Sequence, residues 1–292
     1  MVQIKMQVFE EKGYRIKGIA GCSMGALIGG FYAAGKLEIF EEWVSNLSYL
    51  DVLKLVDLSL LSSGAIRGDK VFAVLSEMLG SIQIEELKIP YTAVATDITH
   101  QKEVWFNSGS LEQAIRASCS IPSVVRPVVM GNRLLVDGGV LNPLPIAASI
   151  AVHADYIIAV DLSSDVPLPK GSLQETTAQK ISHEKEKEGW FSQVRNKAMA
   201  FLDREPAQAQ ADLDANLSKL GVMYQMFDTM QASLTQYKIA GYRPDLLIRI
   251  PKDSVSIFEF YRAEAQIQLG YDIGLQAIEA FEKGEACTYG QL

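Results

Sequence analysis

A chain of 292 residues, 48% of them hydrophobic, has the material for a substantial core in one large domain or one domain with an extension. Its 27 basic residues against 35 acidic ones leave a net charge of −8, which argues against general nucleic-acid binding because that needs a basic surface. Cys22, Cys119 and Cys287 are odd in number and far apart, so they suggest neither a disulfide framework nor a metal site; residues 1–13 do not read as a signal peptide, and the expected location is the cytoplasm.

In chain order, Ile4, Val8 and Phe9 mark one face of a helix over residues 2–12. A strand follows, closing over Gly18–Ala20, and a helix is expected over Ala26–Ala34. Between them lies Gly21-Cys22-Ser23-Met24-Gly25. A Gly-x-Ser-x-Gly turn from strand to helix lifts a serine clear of the sheet, and Gly21, Gly25 and the small Ala26 suit a backbone that must turn without a Cβ clash. Two other readings compete. No charged residue occurs from Gly18 to Gly35, and Gly21, Gly25 and Gly29 recur at four-residue spacing, as in a membrane helix with a small-residue packing face. The abundance of Gly, Ala and Ser over Leu, Ile and Phe makes that the poorer reading; a buried βα unit whose glycines only allow close packing is the better of the two.

Farther along, Asp69 is expected to cap a helix over Lys70–Leu79 with Val71, Phe72, Val74, Leu75 and Met78 as its apolar stripe. Tyr91–Thr96 and Val104–Phe106 read as strands, Ser110 as the cap of a helix over Leu111–Ser118, Arg133–Val136 as a short strand, and Tyr156–Val160 as a buried strand ending at Asp161. This alternation predicts an α/β sandwich. Residues 163–180 are rich in Ser, Pro, Thr and Lys and read as a linker or loop. In the helical stretch that follows, Leu217, Leu220, Met223, Met226, Phe227 and Met230 recur at helical spacing, which predicts an amphipathic helix packed on the main domain, with a lid or membrane-contacting helix as the alternative. Asp245–Ile250 reads as a strand and Phe258–Phe281 as a final helix.

A serine nucleophile needs a base and a group that stabilises the oxyanion. The three histidines suit the first role poorly. His153 precedes the strand over Tyr156–Val160, at the end opposite to where reactive groups gather in parallel sheets; His100 sits in a turn after Asp97, and His183 in a charged stretch. A Ser-His-Asp esterase using His153 is therefore the weaker alternative. The run Leu134-Leu135-Val136-Asp137-Gly138-Gly139-Val140, followed by Asn142-Pro143-Leu144-Pro145, ends an apolar strand in an aspartate with two glycines to free the turn. A partly desolvated carboxylate there can act as base without an imidazole. Asp97 and Asp161 also end expected strands and compete for the role. Arg116 reads as a salt-bridge residue or a headgroup contact, Cys22 as packed, and Ser118, Cys119 and Ser120 as the close of a helix near the site.

These pieces, together with Arg116-Ala117-Ser118, Ile121-Pro122 and the order in which they come, resemble the bacterial patatin-like phospholipases over nearly the whole chain. The resemblance implies a patatin-like three-layer α/β/α sandwich with a central, mainly parallel sheet and extra C-terminal helices. It implies one domain over residues 1–292, with a core at about 1–162 and 242–283 and a helical insert or lid at about 163–241. It further implies a hydrolase of lipid or lysolipid acyl esters that works through an acyl-enzyme, with Ser23 as nucleophile and Asp137 as base. Met24, Gly21 and Gly25 would support the oxyanion and the elbow, and Gly138 and Gly139 would complete the aspartate motif. No metal or organic cofactor and no nucleic acid is implied, and contact with the inner membrane would be peripheral. Tyr242-Arg243-Pro244-Asp245-Leu246-Leu247-Ile248 and the helix near Leu269-Gly270 look like the RssA-type subgroup.

One departure accompanies the resemblance. Family members carry a strand and a glycine-rich, Arg-containing loop ahead of the helix that here spans residues 2–12, and the backbone N–H groups of that loop form the oxyanion hole. This sequence starts at that helix, so a missing donor and a gap or exposed edge in the sheet are expected, with Met24 N–H as the remaining donor. Two readings stand: a shortened form of a longer gene product, or a member of low or no activity serving as a regulatory or binding module.

Overall fold

A computed structural model describes residues 6–48, 51–52, 55, 68–122, 124–167, 206–254 and 262–285. The short helix α1 (Gln7–Glu11) buries Val8 and Phe9, two of the residues that pattern its apolar face. Strand β1 (Ile19–Cys22) runs two residues beyond Ala20 and passes through Ser23 into helix α2 (Met24–Ala33). Ala26 and Phe31 of α2 are fully buried and Leu27 and Ile28 nearly so. That explains the absence of charge: α2 is a ten-residue helix enclosed by protein, and among the described residues no helix is long and apolar enough to cross a membrane. The glycine spacing serves close packing, because a Cβ at Gly29 would stand 2.6 Å from the Ile19 side chain and one at Gly30 2.7 Å from that of Ile115.

Helices α3 (Leu37–Ser45) and α4 (Asp69–Leu79) follow. Asp69 is the first residue of α4 rather than its cap; the cap is Gly68, whose φ of 58° is a left-handed conformation that glycine adopts without strain. Next come β2 (Tyr91–Asp97), β3 (Lys102–Phe106) and α5 (Leu111–Ser118), where the Ser110 hydroxyl accepts the Gln113 N–H at 3.2 Å as expected of a cap. Strands β4 (Val128–Met130), β5 (Arg133–Asp137) and β6 (Ile158–Ser164), helix α6 (Pro206–Gly241), β7 (Leu246–Pro251) and α7 (Ala263–Glu282) complete the described elements, together with short 3-10 turns at Gly138–Val140 and Ile146–Val152.

The fold is a three-layer α/β/α sandwich. Helices α2 to α5 share a core with β1 and β2, while α1 and α7 pack with β7 in a second one. The sheet is mixed rather than mainly parallel. β1 pairs with β2 in parallel, but β2–β3, β2–β5 and β4–β5 are antiparallel, as the short β2–β3 and β4–β5 connections require. β6 and β7 form a separate parallel pair. Among the described residues β1 uses one edge, toward β2, and β6 uses one edge, toward β7; residues of both strands line the same cavity.

Helix α6 differs from its expected packing. Met223, Met226 and Met230 are 50%, 60% and 45% exposed, so the methionine stripe faces away from the protein. Phe227, Gln231 and Thr235 line the cavity instead. The side chains of Leu217 and Leu220, and all of His183, lie outside the described residues.

Candidate active site

Ser23 caps α2 with φ 51° and ψ −122°, a region that a non-glycine residue occupies only at a cost of about 1–3 kcal/mol. The turn is tight: a Cβ at Gly21 would overlap the backbone of Gly25 and Ala26. Gly25 relieves no such clash, since it has no positive φ and a Cβ there would meet nothing within 4 Å. The Ser23 N–H donates to Ser118 Oγ at 3.0 Å, and the Ser23 carbonyl accepts from Cys119 Sγ at 3.1 Å and from Leu27 N–H at 3.1 Å. Met24 N–H belongs to the first turn of α2 and so has no intrahelical partner. Cys22 is buried with its thiol on the Pro143 carbonyl at 3.2 Å, and burial pushes its pKa well up, which suits packing and not nucleophilicity.

Asp137 ends β5 opposite Ala95 of β2, the strand that also pairs with β1. Its position beside the elbow demands glycine next in sequence, because a Cβ at Gly138 would overlap the Val94 carbonyl and stand 2.9 Å from Cys22 Cβ. The Asp137 side chain is fully buried; Oδ1 accepts the Gly139 N–H at 2.7 Å, whereas Oδ2 has no partner in hydrogen-bond geometry. Burial raises its pKa to about 6, against the Ser23 hydroxyl and the Gly139 N–H, which favour the charged form.

The competing bases are engaged elsewhere. Asp97 accepts from the N–H groups of Thr99 and His100 and stands 2.7 Å from His100 Nδ1, with Arg133 at 3.9 Å. Asp161 is closed on its own turn by Ser163 N–H and the Ser164 hydroxyl. His153 is exposed in a left-handed conformation just ahead of β6. The Arg116 guanidinium is held in place by Ser120 Oγ at 3.0 Å, the Arg126 carbonyl at 3.3 Å, Asp69 at 3.6 Å and the Phe72 ring at 4.4 Å.

Three relationships had no distinct signal in the sequence. Helix α6 lies against the aspartate motif, with Gln231 where a Cβ on Gly139 would project. Glu103 collects hydrogen bonds from Lys238 at 2.9 Å, Trp105 at 2.8 Å and Asn142 at 2.8 Å. Residues 118–120, read as a helix end near the site but without their partners, contact the backbones of both Ser23 and Asp137. A cavity of about 1320 Å³ opens on Ser23, Met24 and Gly25 and is lined by Phe9, Ile16, Ile19, Val152, Ile158 and Phe227 among others. Among the described residues no group of three or more His, Cys, Asp or Glu is placed to hold a metal ion.

The chain has relatives among known proteins. The family described as "Patatin-like phospholipase" matches residues 5–150. An uncharacterized NTE family protein of Mycobacterium tuberculosis is 37% identical over 314 residues, which cover 95% of this chain and 87% of that one. The Drosophila melanogaster protein named "Neuropathy target esterase sws" is 24% identical over 285 residues, 95% of this chain but 18% of its own. Among solved structures, VipD from Legionella pneumophila aligns with 94% of this chain and 64% of its own at 14% identity and a TM-score of 0.38.

Proposed function

This chain belongs to the patatin-like phospholipase family, and we propose that it is a serine acyl hydrolase of lipid or lysolipid esters working through a Ser23–Asp137 dyad. One observation carries the reading: of the three aspartates weighed as the base, Asp97 and Asp137 at strand ends and Asp161 within β6, Asp137 alone keeps a buried carboxylate oxygen without a partner, and it does so beside the Ser23 hydroxyl. A carboxylate with a pKa of about 6 is deprotonated at neutral pH and still basic enough to accept a proton in the transition state.

Asp137 takes the Ser23 proton as Oγ adds to the ester carbonyl carbon, and Met24 N–H, at the positive end of α2, meets the oxyanion. Collapse breaks the ester C–O bond; the departing alcohol receives the proton from Asp137 and leaves an acyl-enzyme. Water then gives a proton to Asp137, attacks the acyl carbon and releases the fatty acid and Ser23, the serine oxygen taking that proton back. The apolar side chains lining the cavity suit an acyl chain, and lipid would be met at a membrane surface, since among the described residues no helix is long and apolar enough to cross one. Tyr242–Ile248 supports a place near the RssA-type proteins within the family.

A second reading, a catalytically silent regulatory or binding module, has one observation in its favour. Among the described residues β1 pairs only with β2, so no strand brings a second oxyanion donor alongside Ser23 from its other edge. Turnover of a p-nitrophenyl ester and of a fluorescent phospholipid separates the two. The hydrolase reading expects hydrolysis that Ser23→Ala and Asp137→Ala, each shown to be folded, abolish. Equal background in all three proteins overturns it in favour of the silent module.

A further inference from the structure

The two peptide groups of Ser23 are held by consecutive side chains from α5 and its end, a segment remote in sequence. Ser118, fully buried at the C-terminal end of α5, donates its hydroxyl proton to the Val94 carbonyl at 2.6 Å. That commitment orients the oxygen, because a hydroxyl has one proton to give and its lone pairs remain for acceptance. The Ser23 N–H fills one of them at 3.0 Å. The next side chain, Cys119, points its thiol at the Ser23 carbonyl at 3.1 Å. Burial raises the Cys119 pKa well above the ordinary thiol value, so it stays protonated and acts as a donor. The third residue, Ser120, accepts the Asp137 N–H on its own carbonyl at 2.9 Å. Ser120 is anchored in turn by Arg116, which donates to Ser120 Oγ at 3.0 Å and accepts from it on its carbonyl at 2.8 Å.

We propose that Ser118, Cys119 and Ser120 form a positioning bracket for the Ser23–Asp137 pair, in which Ser118 and Cys119 hold Ser23 in its strained conformation and Ser120 sets the level of Asp137. The bracket rests on the dyad reading above. Its logic is geometric: Ser23 follows β1 and Asp137 ends β5, strands separated by β2, so their separation is not fixed by any direct ladder between them. One short segment that bonds to both backbones fixes it, and the φ of 51° at Ser23 persists because its N–H and C=O are both engaged. These residues are positioning residues, since none of them has a step in the chemistry.

The test uses purified full chain and a fluorophosphonate probe, which reacts with an activated serine whatever the natural substrate. Cys119→Ala and Ser118→Ala are expected to lower the phosphonylation rate and kcat on a p-nitrophenyl ester by about tenfold or more with KM little changed, since displacement of a nucleophile acts on the transition state. Cys119→Ser, which keeps a donor, should stay within about twofold of the parent. Thermal unfolding separates positioning from packing: Cys119→Ala removes one sulfur, and its melting temperature should fall far less than its activity implies. If Ser118→Ala does not fold, the Cys119 pair decides alone. Equal labelling rates for the parent and Cys119→Ala overturn the bracket, as does a Cys119→Ser variant that falls as far as Cys119→Ala. A folded parent in which Ser23 takes no label at all overturns the dyad reading beneath it.

Discussion

Glu103 on β3 and Lys238 near the end of α6 form an ion pair of 2.9 Å across the aspartate motif. The same carboxylate accepts from Asn142, four residues after Gly138, so one acidic side chain ties a long helix to the turn that carries Asp137. Burial pushes the Glu103 pKa up, but the hydrogen bonds from Lys238, Trp105 and Asn142 outweigh it and hold the carboxyl below its usual range. Lys238→Met should therefore cost about 1 kcal/mol of stability and speed amide exchange in the last turns of α6 and in residues 138–142. Hydrogen-exchange mass spectrometry reads this directly; unchanged protection of both segments would show that α6 is held by other contacts.

Asp137 is costly to keep charged. Its native pKa of about 6 lies above the unfolded value near 3.8, so the native state binds more protons between those pH values. Stability from this group is highest below about pH 3.8 and falls as pH rises through about 6. Asp137→Asn removes that burden and retains an oxygen for the Gly139 N–H. It should be more stable than the parent at pH 7.5, by up to roughly 3 kcal/mol, and lose the advantage at pH 4, while turning over no ester. Melting temperatures at the two pH values check it.

The same ionisation sets the pH dependence of catalysis. The base must be deprotonated, so kcat/KM for a neutral ester should rise tenfold per pH unit well below pH 6, bend near 6 and level off above. A profile that stays flat from pH 5 to pH 8 would remove Asp137 from the role of base.

Glycines of the two motifs should respond unequally. Gly138→Ala forces a methyl into the Val94 carbonyl and should cost about 1–3 kcal/mol or prevent folding. Gly25→Ala meets nothing within 4 Å, so it should fold with stability within about 0.5 kcal/mol of the parent. Denaturant titration of both variants makes the comparison.

Much of this arrangement is legible in the sequence because its determinants are local. The elbow needs Gly21 for clearance, the apolar run Leu134-Leu135-Val136 of β5 ends where Asp137 is buried, and Ser110 caps α5 through a neighbour three residues away. What the sequence hides is set by distance. Ser118 and Cys119 read as a helix end near the site, but only the fold shows that they hold the two peptide groups of Ser23, and Glu103, just ahead of the expected strand over Val104–Phe106, carries no reading until Lys238 arrives from α6. The methionine stripe of α6 misled because periodicity tells which residues share a face and not which way that face turns. Asp69 misled for a different reason: a good capping residue was preceded by a glycine able to take the left-handed conformation.

The most direct test of the dyad is to trap and locate the covalent intermediate. Treatment of the full chain with a fluorophosphonate, followed by proteolysis and mass spectrometry, should place a single adduct on Ser23, and Asp137→Asn should form it at least about a hundredfold more slowly while remaining folded. An adduct on another residue, or equal rates with and without the Asp137 carboxylate, would contradict the account.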